Sequence, residues 1–214
     1  MTVQSGYFIT FEGGEGSGKT TQIQRLADTL KAQGRDVILT REPGGVPEAE
    51  SIRNLIVQRD GGNWSREAEI LLFAAARVMH VQNLIQPALN AGKIVISDRF
   101  SDSTLAYQGY GHGADHELIM QLDQDFLGGI RPDLTFILDL PATQGLARAG
   151  RRLHAQDSTE DRFEQLDISF HERLRQGFLA IAAQEAQRCC VIDALKTVDE
   201  IASEIEQHCQ NRLV

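Results

Sequence analysis

Cysteine is scarce in this chain of 214 residues, and its three positions exclude two classes of protein. Cys189, Cys190 and Cys209 have neither CxxC nor metal-ligand spacing, and an odd number argues against a disulfide framework. Basic residues are outnumbered, 21 Lys and Arg against 30 Asp and Glu, for a formal net charge of -9. An extended nucleic-acid surface needs the opposite balance, so no nucleic-acid partner is expected. Any bound anion must be held by locally clustered arginines. Long apolar runs are missing too: the longest, Ile70 to Ala76, falls far short of a membrane span, and no basic flank precedes an apolar core at the N-terminus. We expect no membrane partner and a cytoplasmic location. The histidines show no ligand spacing, and neither repeats nor low-complexity tracts occur. With 42% hydrophobic and 24% charged residues, the composition is that of one globular domain over 1–214, too short for two ordinary domains.

What the chain does contain is Gly13-Gly14-Glu15-Gly16-Ser17-Gly18-Lys19-Thr20, a fit to GxxxxGK[ST]. An apolar run (Tyr7, Phe8, Ile9, Thr10, Phe11) precedes it and a helical pattern (Ile23, Leu26, Ala27, Leu30) follows. That strand, loop and helix order makes a phosphate cradle. Glycines let successive backbone N–H groups turn inward, the helix beginning near Lys19 presents its positive end, and Lys19 adds a full charge. Thr20 would place a hydroxyl on Mg²⁺. The motif makes the chain a nucleoside triphosphate binder and leaves open what receives the phosphate.

The rest alternates strand and helix. Asp36 to Thr40, Ile94 to Asp98, Leu134 to Leu140 and Cys189 to Asp193 read as buried strands. Helices are expected from Pro47, over about Arg66 to Asn90 with Pro87 ending or bending it, from Arg99 into a glycine-rich loop ending at Gly113, and over Asp115 to Leu127. Further helices should start at Pro141, at about Phe163 running to Gln187, and at Val198. This predicts an α/β P-loop NTPase fold: a five-stranded parallel sheet with helices on both faces, ligands at the carboxyl ends of the strands, and a mobile lid at about 148–161, where hydrophobic anchoring is sparse.

Three strand ends should converge: the glycine loop, Arg41-Glu42-Pro43-Gly44-Gly45, and Asp98-Arg99-Phe100. An acid closing an apolar strand suits a Walker-B position that holds Mg²⁺, and it also suits a helix N-cap; Asp98 fits both. Arg99 could grip a second phosphate with a bidentate fork.

Asp98-Arg99-Phe100, Ser103-Thr104 and Ala106-Tyr107-Gln108-Gly109 resemble the signature of thymidylate kinases, in the P-loop nucleoside monophosphate kinase superfamily. Thr40 to Gly45, Phe73 to Arg77, Arg131 to Leu134 and Asp161 to Glu164 follow in the order of the bacterial members, so the resemblance spans nearly the whole chain. It implies transfer of a phosphoryl group from ATP to dTMP with Mg²⁺, in a homodimer. It also implies that Phe73 stacks on thymine and that Arg77, on the same helical face, donates to the base carbonyl. Phe73 alone could also be a core aromatic. Arg77 in the same stripe argues otherwise, because a lone cation among apolar neighbours is costly to bury. By the same resemblance Arg53 and Arg99 clamp the acceptor phosphate, and Thr104 and Gln108 meet the base edge. Tyr107 crowds the 2′ carbon, Glu15 lies near the 3′-hydroxyl, and Pro43 forms a wall.

Some members carry a basic residue where this chain has Gly16. The resemblance then implies that the charge comes from the lid, with Arg152 at the transferring phosphoryl group and Arg148 near adenine; a solvated basic helix end is the plain alternative. Lys19, Arg99, Asp98 and Arg152 are thus the catalytic candidates. The competing readings are another monophosphate kinase, with uridylate or guanylate as acceptor, and a P-loop switch ATPase.

Overall fold

A computed structural model describes residues 6–58, 62–156 and 162–213, with backbone alone for 152–156. Five parallel strands, β1 (Tyr7–Glu12), β2 (Val37–Arg41), β3 (Ile94–Asp98), β4 (Leu134–Asp139) and β5 (Cys189–Asp193), form one sheet in the order β2-β3-β1-β4-β5. The register aligns their carboxyl ends, with Asp98 opposite both Phe11 and Arg41, and Phe11 opposite Phe136. Because β1 lies between β3 and β4, its carboxyl end is the switch point where an open α/β sheet leaves a crevice.

Alternation along β1 splits the core. Ile9 and Phe11 join Ile23, Leu26, Leu30, Ile201 and Ile205, which come from α1 (Lys19–Ala32) and the last helix. Phe8 faces the opposite side with Val81, Ile85 and Phe100. Thr10 and Glu12 share that second face, fully buried, and the Thr10 and Thr135 hydroxyls bond across strands at 2.8 Å. Helices therefore cover both faces, as a buried parallel sheet requires.

The remaining helices are α2 (Pro47–Val57), α3 (Arg66–His80), α4 (Gln86–Asn90), α5 (Ser101–Thr104), α6 (His116–Leu127), α7 (Ala142–Gln156), α8 (Ile168–Gln184) and α9 (Val198–Gln210). Three differ from expectation. First, the helix expected to end or bend at Pro87 runs through it to Asn90. A widened turn at Val81–Ile85, in which the Gln86 N–H donates to the Val81 carbonyl, precedes the proline and gives its ring room. By length and mean hydropathy Arg66–Asn90 could cross a membrane, yet it carries buried Glu69 and Arg77 bonded inside the protein, the mark of a core helix. Second, the expected glycine-rich loop remains helical as a wide turn over Leu105–Gly111, seated against α8. Third, α8 begins at Ile168 rather than Phe163, because Asp167 caps it by accepting from the Phe170 N–H at 2.8 Å. Residues 163–166 are left as turn. Of the expected lid, the first part is the end of α7; residues 157–161 lie outside the described residues, and so does the side chain of Arg152.

Candidate active site

The three strand ends do converge, around a cleft of about 590 Å³. Gly18 and Lys19 open α1 beneath it. The Lys19 ammonium donates to the carbonyls of Gly13 and Gly14 at 3.1 and 3.0 Å. Burial, reinforced by Arg99 and opposed by Asp98, Glu15 and Glu12, lowers its pKa to about 8. Thr20 donates to Asp98 at 3.3 Å, so a hydroxyl and a carboxylate, both hard oxygen donors, meet at the cleft mouth. That pair fits Mg²⁺, which binds through one or two protein oxygens together with substrate phosphates. Among the described residues no cluster of three His, Cys, Asp or Glu forms a metal cage.

Arg99 follows Asp98 with φ 72, the left-handed region that few side chains other than glycine occupy. That turn sends its guanidinium back over the loop. Nη1 donates to the Gly13 carbonyl at 3.0 Å and to Ser103 Oγ at 3.1 Å, while Nη2 reaches Glu15 at 2.9 Å. The guanidinium also lies 5.0 Å from the Tyr107 ring centre, and the Tyr107 hydroxyl donates to the same Glu15 oxygen. Burial works against the charge on Arg99, but Tyr107, Glu15 and Asp98 outweigh it and raise its pKa. Burial also pushes the Tyr107 phenol well above its usual range, with Arg99 pulling the other way.

The far end of the cleft is built on Arg77, and here one expectation is corrected: it is no lone cation. Nε donates to Glu42 at 2.7 Å, Nη1 to Asp123 at 3.2 Å, and Nη2 to Thr104 at 2.7 Å and to the Phe100 carbonyl at 3.3 Å. Glu42 in turn contacts His80 at 3.0 Å. Burial opposes the charge on Arg77 while Glu42 and Asp123 raise its pKa, so two acids from β2's exit loop and α6 fix this guanidinium. Thr104 is thereby oriented beside it.

The other expected residues also come to the cleft wall: Pro43, Arg53, Phe73 and Gln108, as well as Glu15 to Thr20 of the loop and Arg148. Arg53 donates to the Pro43 carbonyl at 2.9 Å. Gln108 donates to buried Glu69 at 2.8 Å. Arg148 donates to the Ala194 carbonyl at 3.3 Å, on the loop after β5. Gly13 and Gly14 enter through the carbonyls that Lys19 meets.

Sequence reasoning gave no role to Phe163 and Glu164, which line the cleft because α8 starts late. The Phe163 ring stands edge-on to Tyr107 at 5.4 Å and 6.5 Å from Phe73, closing an aromatic wall. The Asp167 cap was the available signal. Glu12 was also missed, although it ends an apolar strand just as Asp98 does.

A phosphate cradle at the switch point, opening into a cleft whose other walls carry arginines and aromatics, defines a P-loop phosphotransferase. Comparison narrows the class. The thymidylate kinase family profile matches residues 11–205. A thymidylate kinase of Caulobacter vibrioides is 52% identical over 97% of this chain and 98% of its own, and one of Syntrophotalea carbinolica is 50% identical over 93% of each. The crystal structure of thymidylate kinase from Ehrlichia chaffeensis superposes with a TM-score of 0.76 at 38% identity, covering 95% of this chain and 98% of that one. The chain belongs to the thymidylate kinase family.

Proposed function

We propose that the protein transfers the γ-phosphoryl group of ATP to the 5′-phosphate of dTMP, giving ADP and dTDP for dTTP synthesis. The observation that carries this reading is the position of Arg99, whose guanidinium lies between the glycine cradle and the pocket of Arg77, Phe73 and Tyr107. The accepting oxygen is already anionic at neutral pH, so no general base is needed. The task is to hold two repelling anions in line.

The loop amides and Lys19 grip the donor phosphates, Arg99 and Arg53 grip the acceptor phosphate, and Arg148 packs near adenine. Thymine stacks on Phe73, with Arg77, Thr104 and Gln108 at its edge. Tyr107 fills the space a 2′-hydroxyl would need, Glu15 sits by the 3′-hydroxyl, and Pro43 closes one wall. Thr20 and Asp98 would hold Mg²⁺, which would supply charge neutralisation of the phosphates. Arg152 is the candidate for the transferring group, its side chain lying outside the described residues. One domain over 1–214, cytoplasmic, carries the whole site. Exposed Leu71 on α3 with Leu118 and Phe126 on α6 supports a homodimer through these neighbouring helices.

The test is a panel of acceptors, dTMP, dUMP, UMP and GMP, each with ATP and Mg²⁺ and purified protein. We expect dTDP formation with a clear preference for dTMP. A correctly folded sample that forms no dTDP would refute the reading, and preference for UMP or GMP would move it to another monophosphate kinase.

A further inference from the structure

We propose that Glu12, at the end of β1, is the positioning residue that aims Arg99, acting through the Ser103 hydroxyl and the Phe100 amide. The proposal rests on the reading of Arg99 as the clamp on the acceptor phosphate.

Glu12 is fully buried, one residue before the glycine loop. One of its oxygens accepts from the Phe100 N–H at 2.8 Å and the other accepts from the Ser103 hydroxyl at 2.5 Å. Phe100 directly follows Arg99, and Ser103 sits on α5, which the same turn leads into. A hydroxyl has a single hydrogen, and Ser103 gives it to Glu12. Its lone pairs are what meet Arg99 Nη1 at 3.1 Å. An acceptor behind the hydroxyl turns its hydrogen away from the arginine, so that a lone pair is what faces the guanidinium.

The backbone is pinned in the same way. Phe100 bonded to Glu12 closes one side of the left-handed residue. The Arg99 N–H donates to the Phe11 carbonyl at 2.9 Å, and the Arg99 carbonyl accepts from Ser97 at 2.7 Å. Strained conformations of this kind persist where the surroundings over-determine them.

An acid is a costly choice for this place. Burial and then Asp102 push Glu12 up to about 8, with Arg99, Ser103 and Phe100 pulling the other way. Asp102 is itself gripped by Arg188 at 2.7 and 2.8 Å, which leaves Arg99 among the charges that favour Glu12's ionised form. An apolar side chain would fill the space with no desolvation penalty, but would leave the Phe100 amide and the Ser103 hydroxyl without an acceptor. Glu12 thus links β1, which also carries the donor's cradle, to the arginine that meets the acceptor.

The test compares the wild-type chain with Glu12→Gln, Ser103→Ala, Arg99→Ala and the Glu12→Gln/Arg99→Ala double variant. Glutamine keeps a carbonyl for Phe100 but turns an amide donor on Ser103, in competition with Arg99. Calorimetric dTMP affinity and kcat/KM for dTMP should fall about 10- to 100-fold in Glu12→Gln and in Ser103→Ala, with KM for ATP within about twofold. In the Arg99→Ala background Glu12→Gln should change dTMP affinity by no more than about twofold. In nucleotide-free protein the Arg99 side-chain N–H resonances should exchange faster with water in both single variants. An equal loss in both backgrounds, a matching rise in the ATP KM, or unchanged Arg99 resonances would overturn the proposal. Should Glu12→Gln fail to fold, Ser103→Ala decides alone. A wild-type enzyme inactive on dTMP removes the functional reading instead, and the resonances still judge the positioning.

Discussion

Replacing Gly145 by alanine should loosen the seat of α7 on the phosphate loop, and Gly150, one and a half turns further along, supplies the control. A Cβ at Gly145 would drive into the carbonyl oxygen of Glu15, while one at Gly16 would meet the Gly145 carbonyl and the Arg148 side chain. Loop and helix therefore touch backbone to backbone. A Cβ at Gly150 meets nothing within 4 Å. Alanine is favoured over glycine inside a helix by about 0.5–1 kcal/mol, so Gly150→Ala should stabilise by that amount. At Gly145 the same gain is offset by overpacking of about 1–3 kcal/mol, because a carbonyl cannot swing aside as a side-chain tip can. The net is a loss of about 1 kcal/mol, or about 2–4 °C in Tm for a domain of this size. Urea unfolding and thermal scans of both variants give the two signs, and turnover with ATP should drop in Gly145→Ala alone. If Gly145→Ala is as stable as Gly150→Ala, then α7 is not pressed on the loop and the reasoning fails.

ATP affinity should depend on pH through Lys19, whose pKa of about 8 rises when a triphosphate sits beside it. The charged form binds, so the affinity should be flat below about pH 7 and fall about tenfold per pH unit well above 8, with proton uptake visible by calorimetry in two buffers. Lys19→Met should flatten that profile; a slope that survives it assigns the titration elsewhere. Arg77→Leu removes the cation between Glu42 and Asp123. Stranding two buried acids should destabilise by about 3–5 kcal/mol, read in urea unfolding, and a loss below about 1 kcal/mol would show that the pair is not holding the pocket.

Strands and the phosphate loop were legible because their signals are local. The glycine spacing and the apolar runs ending in Asp98 and Asp193 are properties of neighbouring residues. The site's second half was legible as a set of residues but not as a circuit. Arg77 finds Glu42 and Asp123 at separations of 35 and 46 residues, pairings created only when α3 crosses the exit of β2 and meets α6. Its helical stripe suggested a cation in want of a partner, and packing supplied two. The misplaced start of α8 has a smaller cause: helical periodicity continued back to Phe163 outweighed the Asp167 cap, and the aromatic wall over Tyr107 was lost with it. Sequence suggests that Pro87 ends or bends its helix because the rule assumes a regular turn before it, and the chain widens that turn instead.

A protein of net charge -9 that must gather two polyanions faces repulsion at long range, and its cleft shows how local chemistry overrides that field. The cations there are not left loose in solvent. Arg99 rests on Glu15, Arg77 on Glu42 and Asp123, and Lys19 on the loop carbonyls. Each is thereby held in one orientation before any nucleotide arrives, which spares the ordering cost that a flexible side chain would add on binding. The partners differ in kind. Arg77 is sealed by acids that are themselves buried, and so its guanidinium is fixed where it lines the cleft. Arg99 and Lys19 are held by groups at the cleft surface, and a phosphate can share or replace those contacts. On the proposed reading, the base falls to Arg77 and the phosphates to Arg99 and Lys19, divided by how firmly each cation is already bonded.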